Sequence, residues 1–337
     1  MTLPFAQRAC FAAGQAKSGT TLLMALLDGH PQLLVLPEET AYFPTVLHKY
    51  GARGRRAQFD HLTSKALSRV LFGGEPKWTK GDYTLFPAKL FRERFEATAF
   101  APENAGKDLL VLMLETYAEV CGIPTTQIER WIEKTPANRR FIPQIMERFP
   151  TARLLFTMRD PRAILAAQIA LEKTRRTSEF SAYYCVSHWR QAARLALRAQ
   201  AGELPALVTR YEELVQDLPA QMRRVCDFLG IAFEPDIVLR PTKAGVWWSG
   251  NSATEQPFTD VSRARAESWR KELSSNEIGW VEWHCRDLMP RLGYEPILAQ
   301  KSLGRHWAAP IRGELPKHYL KSRYYSVRDR FLGPRNK

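Results

Sequence analysis

The stretch GQAKSGTTL, residues 14–22, sets four residues between Gly14 and Gly19 and follows them with Thr20 and Thr21. An apolar run precedes it (RACFAAG, 8–14), and a helical pattern follows from about Thr20 to Gly29, just before Pro31. A loop with few side chains at the start of a helix turns backbone N–H groups, and the positive end of the helix dipole, toward an anion. Phosphate binding is the chemistry this spacing implies, with Lys17 as a cation inside the loop. Further charges stand at the ends of other apolar runs: Glu38 and Glu39 in LPEET, Lys134 in IEKTP, Arg159 and Asp160 in TMRDP, and Arg210 in TRYEE.

The elements that must carry these residues are short apolar runs separated by helical stretches: 8–14, 32–38, 130–136, 152–161 and 206–214. Four to six apolar residues ending in a polar cluster predict buried strands, and the intervening helices predict a parallel sheet flanked by helices, an α/β fold. Ligands of such sheets bind at the carboxyl ends of the strands, where all these charges fall. Residues 41–128 read as a helical cap over the site. Residues 177–200 and 217–229 each read as one amphipathic helix, the second closing at Gly230. The expected organisation is one domain over 1–300, the cap within it, and a C-terminal extension over 301–337.

A nucleoside triphosphate would want lysine directly after the second glycine, with a hydroxyl next to it for magnesium. Here that place holds Thr20, and Lys17 lies inside the loop. The order Lys17, Ser18, Gly19, Thr20, Thr21 instead resembles the 5′-phosphosulfate loop of sulfotransferases that use 3′-phosphoadenosine 5′-phosphosulfate (PAPS). FTMRDPRAILAAQ (156–168) is similar to the family's 3′-phosphate segment, which makes Arg159 the residue for the ribose phosphate, with Arg162 as a second cation nearby. TRYEELVQDLPAQMRRVCDFLGI (209–231) is similar to a third segment, in which Tyr211 would contact the nucleotide. The resemblance implies a P-loop-like sulfotransferase fold, PAPS as co-substrate, 3′,5′-adenosine bisphosphate (PAP) as product, and no metal. One departure is Ala167, where the family usually has a serine; Gln168, Lys173 or Arg175 stand near enough in sequence to replace its bond.

Sulfuryl transfer to a hydroxyl needs a base for the acceptor proton and cations at the bridging oxygen. The tyrosylprotein branch carries a similar Glu-Glu-Thr, which implies Glu39 as base with Glu38 as alternate. The same likeness implies Lys134 as a catalytic cation beside Lys17, and Ser252 in SGNSAT as a ligand of the transferring group. Other branches use a histidine base, so His30, His48, His61 and His188 are also candidates.

Composition narrows the partners. The 337 residues are 45% hydrophobic and 25% charged, ordinary for a globular chain. Of the formal charge of +14, residues 301–337 hold ten Lys or Arg against Glu314 and Asp329. This basic extension suits an anionic membrane surface or an acidic partner, or packing on the domain itself; no zinc-finger or helix-turn-helix pattern accompanies it, which argues against nucleic acid. The five cysteines show no paired spacing, which fits a cytoplasmic protein, with the extension peripheral on the inner membrane surface. The expected acceptor is any hydroxyl compound: saccharide, peptide tyrosine, lipid or small metabolite. A homo-oligomer is left open. Two rival readings are a P-loop kinase or NTPase, and a noncatalytic anion- or membrane-binding protein of the same fold.

Overall fold

The computed structural model describes residues 3–74, 82–175, 180–248, 250, 261, 263–299, 303–307, 309–314, 318–320, 323, 324 and 327. Its centre is a parallel sheet of β1 (Ala9–Gly14), β2 (Leu33–Val35), β3 (Arg130–Lys134), β4 (Arg153–Met158) and β5 (Ala206–Arg210), in the order β2-β3-β1-β4-β5. The five expected strands are all present, with β2 reduced to its apolar middle. Residues 9–13 are wholly buried because β1 is the central strand, flanked on both edges and covered on both faces. Its end lies level with β3 and β4: Ala12 pairs with Lys134 and Gly14 with Thr157. Consecutive register thus brings three functional segments to one edge of the sheet.

Side chains of a strand alternate between faces, and the two faces have different partners. Phe11, Trp131, Leu154 and Phe156 point one way. They pack with α2 (Gly54–Ser64), α3 (Ala88–Phe100) and α4 (Leu109–Val120) in one continuous apolar cluster. Cys10, Ala12, Ile132 and Leu155 point the other way, against α1 (Thr20–Leu27). Residues 41–128, where described, are mainly helical and form a layer packed on the sheet. Fully buried Phe59, Phe91 and Phe95 belong to the same cluster as the sheet.

Beyond β4, α5 (Pro161–Arg175) and α6 (Ala182–Gln200) build a third cluster with α7 (Ser275–Cys285). Two further helices follow β5, Tyr211–Gln216 and Leu218–Leu229; Asp217 caps the second by accepting from the Ala220 N–H (3.1 Å), and Gly230 ends it at φ 70°. Part of the expected extension also belongs to this body. Leu303 and Ile311 are buried, Arg312 pairs with Glu277 at 2.8 Å, and Glu314 accepts from the Ala182 N–H at 2.9 Å. Among the described residues no helix is long and apolar enough to cross a membrane.

Candidate active site

The loop between β1 and α1 is held open by two glycines for different reasons. A Cβ on Gly14 would meet the Thr157 carbonyl oxygen at 2.7 Å and Ser18 Oγ at 2.8 Å. Gly19 sits at φ 100°, in the left-handed region, with Tyr211 Cδ2 2.8 Å from where its Cβ would be. Lys17 adopts φ 74°, which costs an L-residue free energy that the surrounding contacts must offset. Those contacts include Ser18, whose buried hydroxyl donates to the Gln15 carbonyl (2.7 Å) and meets Thr157 Oγ1 (2.8 Å). Among the described residues no side chain caps α1. The N–H groups of its first turn, at Thr20 and Thr21, have no acceptor within the helix, which suits an oxyanion.

Arg159 and Tyr211 close over this loop from β4 and β5. The Arg159 guanidinium lies 4.3 Å from the Tyr211 ring centroid, within cation–π range. It donates to the Lys17 carbonyl (3.2 Å) and the Arg265 carbonyl (2.6 Å), while its buried Nε has no partner among the described residues. Lys17, Gly19, Arg159 and Tyr211 are thus gathered from three strand ends into one cationic, aromatic-walled recess.

On the other side of β1 the chain presents two ion pairs. Lys134 Nζ lies 2.6 Å from Glu39 Oε1, and the Glu39 side chain is 27% exposed. Glu38, only 3% exposed, accepts on Oε1 from Lys243 Nζ (2.6 Å) and from the Tyr83 hydroxyl (2.5 Å). Burial pulls the Lys243 ammonium below its ordinary range, opposed by Glu38. The consecutive glutamates therefore have different fates: Glu38 is an anchor in the interior, and Glu39 stays partly exposed beside Lys134.

A brace fixes the spacing between the two sides. Fully buried Glu133 accepts on Oε1 from the Thr40 N–H (3.3 Å), Thr40 Oγ1 (2.8 Å) and Thr135 Oγ1 (2.7 Å), and on Oε2 from Asn138 Nδ2 (2.6 Å). Burial raises its carboxyl above the usual range, opposed by those bonds. A few residues on, Arg139 donates to the Gly14 carbonyl (2.9 Å) and the Pro136 carbonyl (3.1 Å), and burial lowers its guanidinium to about 10. Residues 133–139 thereby join the segment after Glu39 to the start of the phosphate loop.

Residues 10–235 match the model of a family described as "Sulfotransferase family". The chain belongs to the sulfotransferase family. It is similar to protein-tyrosine sulfotransferase A of Caenorhabditis elegans, 23% identical over 88% of this chain and 69% of that one. Nodulation protein NoeE of Sinorhizobium fredii is 27% identical over 86% and 66% of the two chains. Among solved structures, the sulfotransferase domain of the Synechococcus PCC 7002 olefin synthase shares the fold with a TM-score of 0.50 and 21% identity, covering 85% of this chain and 94% of that domain. The protein is an enzyme of sulfuryl transfer, with PAPS as donor and PAP as product. The kinase, NTPase and noncatalytic readings are not favoured.

Placement of the expected residues in this sulfotransferase is uneven. Lys17, Gly19, Thr20, Thr21, Arg159 and Tyr211 come together, as do Glu39 and Lys134. Ser18 is turned inward, where its hydroxyl braces the loop. Ser252 lies outside the described residues. Arg162 is not a cation open to nucleotide: it is bound to Asp160 (2.6 Å) and Glu282 (2.5 Å) in the core. Ala167 and Gln168 are half-buried on α5.

Three of the histidines are engaged elsewhere. His30 is buried between the Ala232 carbonyl and the Gln32 N–H, His48 packs on the Phe141 ring and His61 on Tyr50. His188 is driven down to about 4 by burial, then by Arg139 and Arg140. Sequence reasoning missed Tyr83, Glu133, Arg139 and Lys243. Only Glu133 carried a local signal, a carboxylate at an inward-facing strand position.

Proposed function

We propose that this sulfotransferase acts on a hydroxyl of a saccharide or a peptide, with Glu39 as the base. The observation that carries the reading is the contrast between the two glutamates. Glu39 is accessible and 2.6 Å from Lys134, whereas Glu38 is buried, with its Oε1 held by Lys243 and Tyr83.

Glu39 takes the proton as the acceptor oxygen forms its bond to sulfur. The bond from sulfur to the bridging oxygen breaks, its electron pair stays on that oxygen, and Lys134 and Lys17 meet the charge there. The first turn of α1, with Thr20 and Thr21, holds the 5′-phosphate. Arg159 grips the 3′-phosphate and Tyr211 walls the nucleotide, a fit supported by the Arg159 Nε, which has no partner among the described residues. The products are a sulfate ester and PAP. The names of similar proteins, protein-tyrosine sulfotransferase A and human carbohydrate sulfotransferase 2 (36% identical over 27% of this chain and 17% of that one), support these two acceptor classes.

Transfer of labelled sulfate from PAPS to a tyrosine peptide and to a set of saccharides tests the reading. Labelling of one class by the parent protein, lost in folded Glu39→Gln, is expected. Labelling of neither class would overturn the acceptor assignment, and an active Glu39→Gln protein would overturn the base.

A further inference from the structure

We propose that Lys243 is a third cation of the transfer centre, one that binds an oxygen of the sulfuryl group in company with Lys17 and Lys134. The proposal rests on the reading of Glu39 and Lys134 as the transfer pair. Its evidence is how Lys243 is delivered.

Lys243 lies on β6 (Thr242–Lys243), paired antiparallel to β7 (Val246–Trp247) through a two-residue turn. Ala244 at φ 54° and Gly245 at φ 78° both occupy the left-handed region, as the tightest hairpin turns require. For Ala244 that conformation is strained, so other contacts must impose it. Asp28, the residue that ends α1, supplies them: its Oδ2 accepts from Thr242 Oγ1 (2.8 Å) and from the Gly245 N–H (3.0 Å). The hairpin is thus keyed to the C-terminal end of the helix whose N-terminal end is the donor loop.

From that hairpin Lys243 reaches Glu38, next in sequence to Glu39, and it interacts electrostatically with Glu39 and with Lys134 as well. The Lys243–Glu38 pair therefore stands one residue along the chain from the Glu39–Lys134 pair. Like charges are brought together at a cost, which an anion between them reverses. Glu38 occupies one of the three N–H donors of Lys243. Buried Glu38 has a second partner in Tyr83, so it holds the ammonium in position as a fixed acceptor. A purely structural pair of buried charges is often replaced by apolar side chains without loss. Placing this pair beside the base gives the second lysine a use that packing alone would not.

Four proteins are compared for equilibrium binding of PAPS and of PAP: the parent, Lys243→Met, Glu38→Gln, and the double variant. The two nucleotides differ by the sulfuryl group. Lys243→Met is expected to weaken PAPS about tenfold and to leave PAP within about twofold. The double variant, which removes both buried charges, is expected to keep the PAPS-selective loss. Equal weakening of both nucleotides, or parental PAPS affinity in the double variant, would show that Lys243 only neutralises Glu38 and would overturn the proposal. If Lys243→Met does not fold, the double variant decides by the same criterion. Binding does not require a working base, so failure of the Glu39 assignment would appear in transfer assays and leave this comparison intact.

Discussion

The two sides of β1 are built on different principles. On the donor side, the groups facing the loop use backbone: Arg159 donates to the carbonyls of Lys17 and Arg265, and α1 offers its own N–H groups. On the acceptor side, at the ends of β2 and β3, the contacts run between charged side chains: Glu39 with Lys134, Glu38 with Lys243. A backbone cradle tolerates many neighbours as long as the loop keeps its shape. A set of buried charges depends on every partner, because removing one leaves another unpaired. Substitutions on the donor side should therefore act on the affinity for both PAPS and PAP, and substitutions of the two glutamates should act on turnover and stability, separately for each.

The strongest test of that division is Glu39→Gln. Turnover should fall by about 10² to 10⁴ while PAP affinity and melting temperature stay near the parent's; a rate above about a tenth of the parent's would remove Glu39 from the mechanism. Glu38→Gln should show the opposite profile. Loss of the carboxylate beside Lys243 should lower stability by about 3 kcal/mol in denaturant titration, with transfer per folded molecule reduced less than in Glu39→Gln. Equal behaviour of the two variants would erase the distinction between anchor and base.

Arg159→Ala, on the donor side, should remove about 1.5 to 3 kcal/mol of the preference for PAP over AMP, read by calorimetry, with no change in melting temperature beyond a few degrees. The same loss for both nucleotides would place Arg159 away from the 3′-phosphate.

The smallest expected effect concerns pH. His188 is held neutral in the fold, lowered from 6.5 to about 4, whereas in the unfolded chain it takes a proton near its ordinary value. Its contribution is then complete above about pH 6.5 and declines as pH falls toward 4, because the unfolded state binds more protons in that window. His30 and His61 are lowered by burial and act in the same sense. Melting curves of the parent and of His188→Gln between those limits should diverge, with the variant losing less on acidification. Parallel curves would show that His188 titrates normally.

Much of the donor side was legible because its signals are local. A glycine loop between a strand and a helix is contiguous, and the strand ends carrying Arg159 and Tyr211, like that of Lys134 on the acceptor side, announce themselves through apolar runs broken by charge. The parallel sheet followed from the same runs. The limits of the core were less legible: buried Leu303 and Ile311 lay inside a stretch dominated by its charges.

What the sequence by itself determined is the sheet, the loop and the identity of the charged residues at the strand ends, since these depend on hydrophobic period, glycine and short-range order. Only the tertiary structure decided which of two adjacent glutamates stays partly exposed, that Arg162 is consumed by Asp160 and Glu282, and that Lys243 arrives beside Glu38 from a hairpin keyed to Asp28. The physical reason is that a buried charge takes its role from its partner, and those partners stand on separate elements, at separations no local pattern encodes.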